Sequence, residues 1–152
     1  MKVIKGDLIK KAQAAEFDVI IHGCNCFCAM GAGIAKSIKT AFPQAYEADL
    51  KTTKGDKAKL GTCSVAAVQT GKGKVYVVNA YTQYNFSGRG VLVDYEAIRS
   101  CMKWVKKNFS SQRIGIPKLG AGLAGGDWQV ISAIINEELS GEDVTLVEYL
   151  PG

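Results

Sequence analysis

The stretch IIHGCNCFCAMGAGIA, Ile20 to Ala35, decides how the chain is read. Its first half carries His22, Cys24, Cys26 and Cys28 at two-residue spacing, four potential metal ligands. Its second half, Met30-Gly31-Ala32-Gly33-Ile34-Ala35, is small and apolar and suited to lie against a ligand. In an extended strand, residues two apart point the same way, and His22 and Cys28 would stand roughly 20 Å apart at about 3.3 Å per residue. Zinc needs its donors about 2.0–2.3 Å from one point, usually as two separated pairs. Cys63 and Cys101 stand alone, so a second pair is missing. The reading is therefore no metal and no cofactor, with the cysteines packed as small apolar residues.

A pocket explains more of the stretch. A continuous apolar run, Val19-Ile20-Ile21, suits a strand buried on both faces. A helix is expected from Gly33, because Ile34, Ile38 and Phe42 recur every four residues before Pro43 breaks or restarts it. Between strand and helix lie Asn25, with a donor-acceptor amide, and Gly31 and Gly33, which let backbone N–H groups approach a ligand. Such groups at a helix start favour phosphate. A second loop, KLGAGLAGGD from Lys118 to Asp127, repeats the logic. Facing each other, the two loops could clamp a diphosphate. Neither is a Walker A sequence, since no Gly-Lys-Ser/Thr follows.

Outward from these loops, KVIKGD (2–7) reads as a strand ending at Gly6-Asp7, and AYEADLKTT (45–53) as a short helix. GTCSVAAVQTGKGKVYVVNAYT (61–82) reads as a hairpin turning at Thr70-Gly71-Lys72-Gly73. Asp94 opens an amphipathic helix marked by Ile98, Met102 and Val105. RIGIP (113–117) is a short buried strand, WQVISAIINEEL (128–139) a helix and VTLVEYL (144–150) a closing strand. The order β-β-α-β-β-α-β-α-β predicts a three-layer α/β/α sandwich on a mixed sheet. Ligands bind such sheets where strand carboxyl ends meet helix amino ends.

The 152 residues suit one domain, 1–152. Hydrophobic residues make 47% and charged residues 22%, a soluble globular balance. No apolar run approaches the roughly 20 residues of a membrane span, and MKVIKGDLIKK lacks a secretory apolar core. Five cysteines, three of them crowded together, form no disulfide framework, and a reducing cytoplasm is expected. The net charge of +5 comes from 16 Lys and three Arg against 14 acids. The densest cluster, Lys51 to Lys59, reads as a solvated surface or as a mild attraction for phosphates. No zinc finger, helix-turn-helix or RNA-binding aromatic motif accompanies it, so no nucleic-acid partner is expected.

Three segments, KGDL (5–8), HGCNCFCAMGAGIA (22–35) and PKLGAGLAGGDW (117–128), together resemble the macro domain, the ADP-ribose-binding fold. The match spans nearly the whole chain in the right order. It is nearest to the branch holding the yeast-type ADP-ribose-1''-phosphate phosphatase and the terminal ADP-ribose glycohydrolases. The resemblance implies an approximately six-stranded mixed sheet between helices. It implies that Asp7, with Leu8 beside it, takes the adenine amino group, and that Asn25 faces the distal ribose. It implies that Met30, Gly31, Ala32, Gly33 and Ile34 form one substrate-binding run, and Gly120, Ala121, Gly122, Leu123, Ala124 and Gly125 the other. Asp7 could equally cap a helix, and Asn25 could serve a turn.

The chain departs from the glycohydrolases of that branch. Their catalytic Asp directly after G-x-G-L is Ala124 here, with Asp127 three residues on. The stretch where they use a Lys reads NAYTQYNFSGRG (79–90) and has none. The implied activity is therefore phosphatase action on ADP-ribose-1''-phosphate. The alternatives are a non-catalytic ADP-ribose reader, or a hydrolase acting on ADP-ribosylated protein. His22, the lone imidazole, is the first candidate acid/base, alongside Asn25, with Asp127 second. Asp127 could instead cap the helix at Trp128. Tyr81, Gln83 and Arg89 lie on the loop expected to overhang the distal ribose.

Overall fold

The structure, a computed structural model, describes residues 1–151. Six strands form one sheet: β1 (Lys2–Gly6), β2 (Val19–Cys24), β3 (Cys63–Gln69), β4 (Lys74–Tyr81), β5 (Arg113–Ile116) and β6 (Asp143–Tyr149). Their spatial order is β1-β6-β5-β2-β4-β3. Only the hairpin pair β3–β4 is antiparallel. The other neighbours run parallel, so five strands present their carboxyl ends to one rim of the sheet.

Among the described residues, five α-helices cover the sheet: α1 (Leu8–Gln13), α2 (Gly33–Ala41), α3 (Pro43–Leu50), α4 (Tyr95–Phe109) and α5 (Trp128–Glu138). Pro43 restarts rather than ends the helical path, standing in the first turn of α3, where its missing N–H costs nothing. The sequence reading lacks α1, whose six residues are too few to show a periodicity. Asp7 starts it by accepting from the N–H groups of Ile9 and Lys10 at 2.9 and 3.2 Å.

The strand period of two sorts β2 between the layers. Val19 and Ile21 join the core beneath α4 and α5, with Ile98, Met102, Val105, Ile131 and Ile135. Ile20 joins the core beneath α1–α3, with Leu8, Ile38 and Phe42. The chain leaving β2 goes to one face as α2, and the chain leaving the adjacent β5 goes to the other as α5. Neighbouring parallel strands whose connections part in this way open a crevice at their carboxyl ends.

Candidate functional site

That crevice is a cleft of about 1340 Å³. The β2–α2 loop lines one side through Asn25, Ala29, Gly31 and Ala32, and the β5–α5 loop lines the other through Gly120, Gly122, Leu123 and Ala124. The two loops meet: a Cβ on Gly33 would lie 3.2 Å from Leu123 Cδ1. Gly33 has φ +59°, a left-handed conformation that glycine adopts without penalty.

The helix ends explain what the cleft offers. Helices α1, α4 and α5 are each capped by an aspartate, Asp7, Asp94 and Asp127, whose side chain accepts from a first-turn N–H. Helix α2 has Ala32 in that position and no side-chain cap. Its first-turn N–H groups remain available where Gly33, Ile34 and Ala35 line the cleft. Lys10, Lys36 and Lys118 stand on the cleft wall and add positive charge, against Asp7 and Glu148. A cavity with an open helix start, glycine backbone on both sides and lysines around it is built for an anionic, elongated ligand.

The structure places the sequence-derived residues unevenly. Asp7, Leu8, Asn25, Gly31, Ala32, Gly33, Ile34, Gln83, Gly120, Gly122, Leu123 and Ala124 all line the cleft. Asp7 is both a helix cap and a cleft residue, since one carboxylate oxygen makes both cap bonds. Asn25 is held as a turn residue: its Oδ1 accepts from Phe27 N–H at 2.9 Å, and its Nδ2 donates to Ala29 O at 2.8 Å. Gln83 Nε2 donates to Asn85 O, which fixes its side chain within its own loop.

Three expectations need correction, those for His22, Tyr81 and Asp127, and Met30, Ala121 and Gly125 also lie outside the cleft lining. His22 does not reach the cleft. It shares the parity of Ile20, faces α3 and is fully buried. Its Nε2 lies 2.7 Å from Asn79 Oδ1, and Asn79 Nδ2 donates to Ala45 O and Ser64 Oγ. Burial holds the imidazole down at a pKa of about 4, against the opposing pull of Asn79, so it is neutral at pH 7. Tyr81 lies on the same side; its hydroxyl donates to Asp49 Oδ1 at 2.7 Å and pairs with Ser64 Oγ. Burial pushes its phenol well up. Met30 is packed with Cys24, Cys26 and Tyr81 beneath the loop. Asp127 caps α5 by accepting from Gln129 N–H at 2.9 Å, and lies outside the cleft.

The cysteines diverge because the chain does not stay extended past Cys24. Cys24 Sγ rests 3.5 Å from His22 Nε2, Cys26 Sγ donates to Gln83 O, and Cys28 Sγ donates to Asp49 O. Burial pushes the Cys24 and Cys26 thiols up, opposite to what a nucleophile needs. Among the described residues, no group of three or more His, Cys, Asp or Glu side chains is gathered to hold a metal.

Sequence reading missed several cleft residues. Gly23, Phe86, Val147 and Tyr149 line it, as do the three lysines. The signal for Val147 to Tyr149 was present: they end a strand parallel to β2, at the same rim.

Comparisons with known proteins agree with this architecture. The chain is 36% identical over 156 residues to the uncharacterized 17.5 kDa protein of the tk-vs intergenic region of Enterobacteria phage T4, covering 99% of this chain and 97% of that one. It is 27% identical to the ADP-ribose glycohydrolase OARD1 of Bos taurus, over 96% of this chain and 88% of that one. A 46-residue segment is 44% identical to the ADP-ribose 1''-phosphate phosphatase of Aspergillus oryzae, covering 30% of this chain and 21% of that one. The Thermosipho africanus DarTG structure, solved with ADP-ribose, superposes with a TM-score of 0.76 at 18% identity, over 98% of this chain and 41% of that one. The Macro domain family model matches residues 21–135. With the resemblance of its three loop segments, its sheet order and this match in agreement, the chain belongs to the macro-domain family.

Proposed function

We propose that the cleft binds ADP-ribose and that the protein hydrolyses the phosphate monoester of ADP-ribose-1''-phosphate. The uncapped start of α2, facing a second glycine loop across the cleft, carries the reading. A diphosphate is the ligand part whose charge and length match N–H donors on two opposed loops. Asp7 at one end of the cleft suits the amino edge of an adenine. Asn25, Gln83 and Phe86 at the other leave room for a distal sugar. The OARD1 relative supports an ADP-ribosyl ligand, and the short Aspergillus match supports the phosphate monoester. With His22 buried and Asp127 spent on a cap, hydrolysis here rests on positioning and on donors to the phosphoryl oxygens rather than on an imidazole base.

One observation favours a second reading, ADP-ribose binding without turnover. Among the described residues, neither a histidine nor a carboxylate stands beside Asn25, Gln83 and Phe86 on the cleft wall; the two lining carboxylates, Asp7 and Glu148, lie with Tyr149 at the ends of β1 and β6. Phosphate release from ADP-ribose-1''-phosphate, followed beside calorimetric titration with ADP-ribose and AMP, separates the two. Turnover establishes the phosphatase. Binding of ADP-ribose without turnover establishes the reader. Equal affinity for ADP-ribose and AMP removes the diphosphate clamp from both.

A further inference from the structure

The cleft extends over a surface that the reading above leaves unused, the groove between α1 and α2. Lys10 and Gln13 line it from α1, and Lys36, Ser37 and Thr40 from α2. The two helices lie on one face of the sheet, where Leu8 and Ala12 share a core with Ile38 and Phe42. Their exposed residues follow the helical repeat. Lys10 stands three residues after Asp7, and Lys36 three after Gly33, so each lies about one turn beyond a proposed ligand contact. Among the described residues, neither Lys10 nor Lys36 is paired with a carboxylate. Their neighbours in sequence and in the cleft are paired: Lys11 with Glu16 at 3.6 Å, and Lys118 with Glu148 at 3.9 Å. Thr40 Oγ1 donates to Lys36 O at 3.1 Å, which leaves Gln13 and Ser37 as neutral donors beside the two cations.

We infer that this groove is a subsite for a phosphate on the adenosine ribose of the ligand, held by Lys10 and Lys36. The inference rests on the ADP-ribose reading of the cleft. With adenine at Asp7 and the diphosphate at the start of α2, the sugar joining them lies at the mouth of the groove. Its 2' and 3' hydroxyls are the groups not used in that linkage. A bare hydroxyl gives two unpaired cations nothing to bind. A phosphate monoester brings about −1.5 to −2 charges at pH 7 and three acceptor oxygens. An ammonium on a four-carbon stem meets such a group as a point charge, without the fixed fork that an arginine needs. The substrate class is then ADP-ribose phosphorylated on its adenosine ribose, which carries a third phosphate far from the distal sugar.

Calorimetry with ADP-ribose, 2'-phospho-ADP-ribose and 3'-phospho-ADP-ribose tests it. The readout in each protein is the affinity for a phosphorylated ligand divided by that for ADP-ribose, so a general loss of attraction cancels. At an ionic strength of about 0.01 M, one phosphorylated ligand should bind the wild type about fivefold or more tightly than ADP-ribose. At about 1 M, where the Debye length is about 3 Å, the advantage should shrink to about twofold or less. Lys10→Met combined with Lys36→Met, both at exposed positions, should bring the ratio close to one. Lys118→Met removes a cleft charge outside the groove and should keep the wild-type ratio. Equal binding of all three ligands by the wild type overturns the subsite alone. A ratio that survives in the double variant also overturns it. So does a ratio that Lys118→Met lowers as far, since it then reports the charge of the whole cleft. A wild type that binds none of the three ligands overturns the subsite together with the reading on which it rests.

Discussion

The two sides of the Asn25–Ala35 loop differ in kind. Toward the cleft it presents Gly31, Ala32 and Gly33, all exposed, and nothing lies within 4 Å of where a Gly31 side chain would start. Behind it lies a closed polar chain: His22, Asn79, Ser64, Tyr81 and Asp49 bonded in succession, with Lys59 Nζ donating to Cys26 O at 3.1 Å. His22, Tyr81 and Cys28, which look reactive in the sequence, are on the back. The cleft combines glycine backbone and small residues with Asp7, Asn25, Gln83, Phe86, Leu123, Tyr149 and lysine heads. A reactive residue type near a ligand loop can therefore serve the loop's shape rather than its chemistry.

The largest expected effect breaks the back of the loop. His22→Ala removes a buried ring and strands Asn79 Oδ1 without its partner. Cavity and lost pairing together should cost about 4 kcal/mol of stability, read from urea unfolding. The folded protein should bind ADP-ribose within threefold of the wild type. If His22 were a general acid or base, stability would hold while the rate fell on the order of 10²–10⁴. That outcome would move His22 to the cleft side of the comparison.

The pH dependence sharpens the same point. Burial lowers the folded-state pKa of His22 to about 4, below the ordinary 6.5. Between these values the unfolded chain binds a proton that the folded chain refuses, so stability rises with pH across the window. It is fully present above about 6.5 and is lost as pH falls toward 4, by about 3 kcal/mol at pH 4. Asp49, whose carboxyl burial pushes up, runs the opposite way and shallows the slope. Subtracting the profile of a folded His22→Gln variant isolates the imidazole. A difference profile flat from pH 4 to 6.5 would mean that His22 is solvated.

On the cleft side, Gly33→Val should weaken ADP-ribose on the order of 100-fold. The position needs φ +59°, and the first side-chain atom would stand 3.2 Å from Leu123. Left-handed backbone at a β-branched residue costs about 1–3 kcal/mol, and relieving it moves the helix start. Unchanged affinity in a folded Gly33→Val protein would show that the α2 start does not hold the ligand.

The same contrast explains what the sequence could disclose. The strands, the hairpin and the two glycine loops were legible, because apolar runs, glycine turns and four-residue periodicity are local signals. The place of His22 was not, although its parity was. It stands two residues after Ile20, and a period of two puts both on one face. Which face that is depends on α2 and α3 lying there, a fact of topology. Tyr81 was misplaced for the same reason, sharing the face of Val77 and Asn79. Helix α1 was too short to show itself, yet Asp7, which starts it, was found through the loop motif.

The smallest expected effect concerns Asp127, the carboxylate nearest to Ala124 along the sequence. It is exposed, its Oδ1 accepts from Gln129 N–H at 2.9 Å, and its own N–H donates to Tyr95 Oη at 3.0 Å. These contacts describe a helix cap at the edge of the β5–α5 loop, with no group turned to the cleft. Asp127→Ala should therefore cost about 1 kcal/mol of stability, the usual worth of a lost cap. Asp127→Asn should cost only a few tenths, since an amide oxygen caps nearly as well. Phosphate release by either variant, measured well below its melting point, should stay within threefold of the wild type. A stable Asp127→Asn protein that binds ADP-ribose but has lost turnover would reverse the assignment. It would mean that the loop moves on binding, bringing Asp127 across the two glycines that separate it from Ala124.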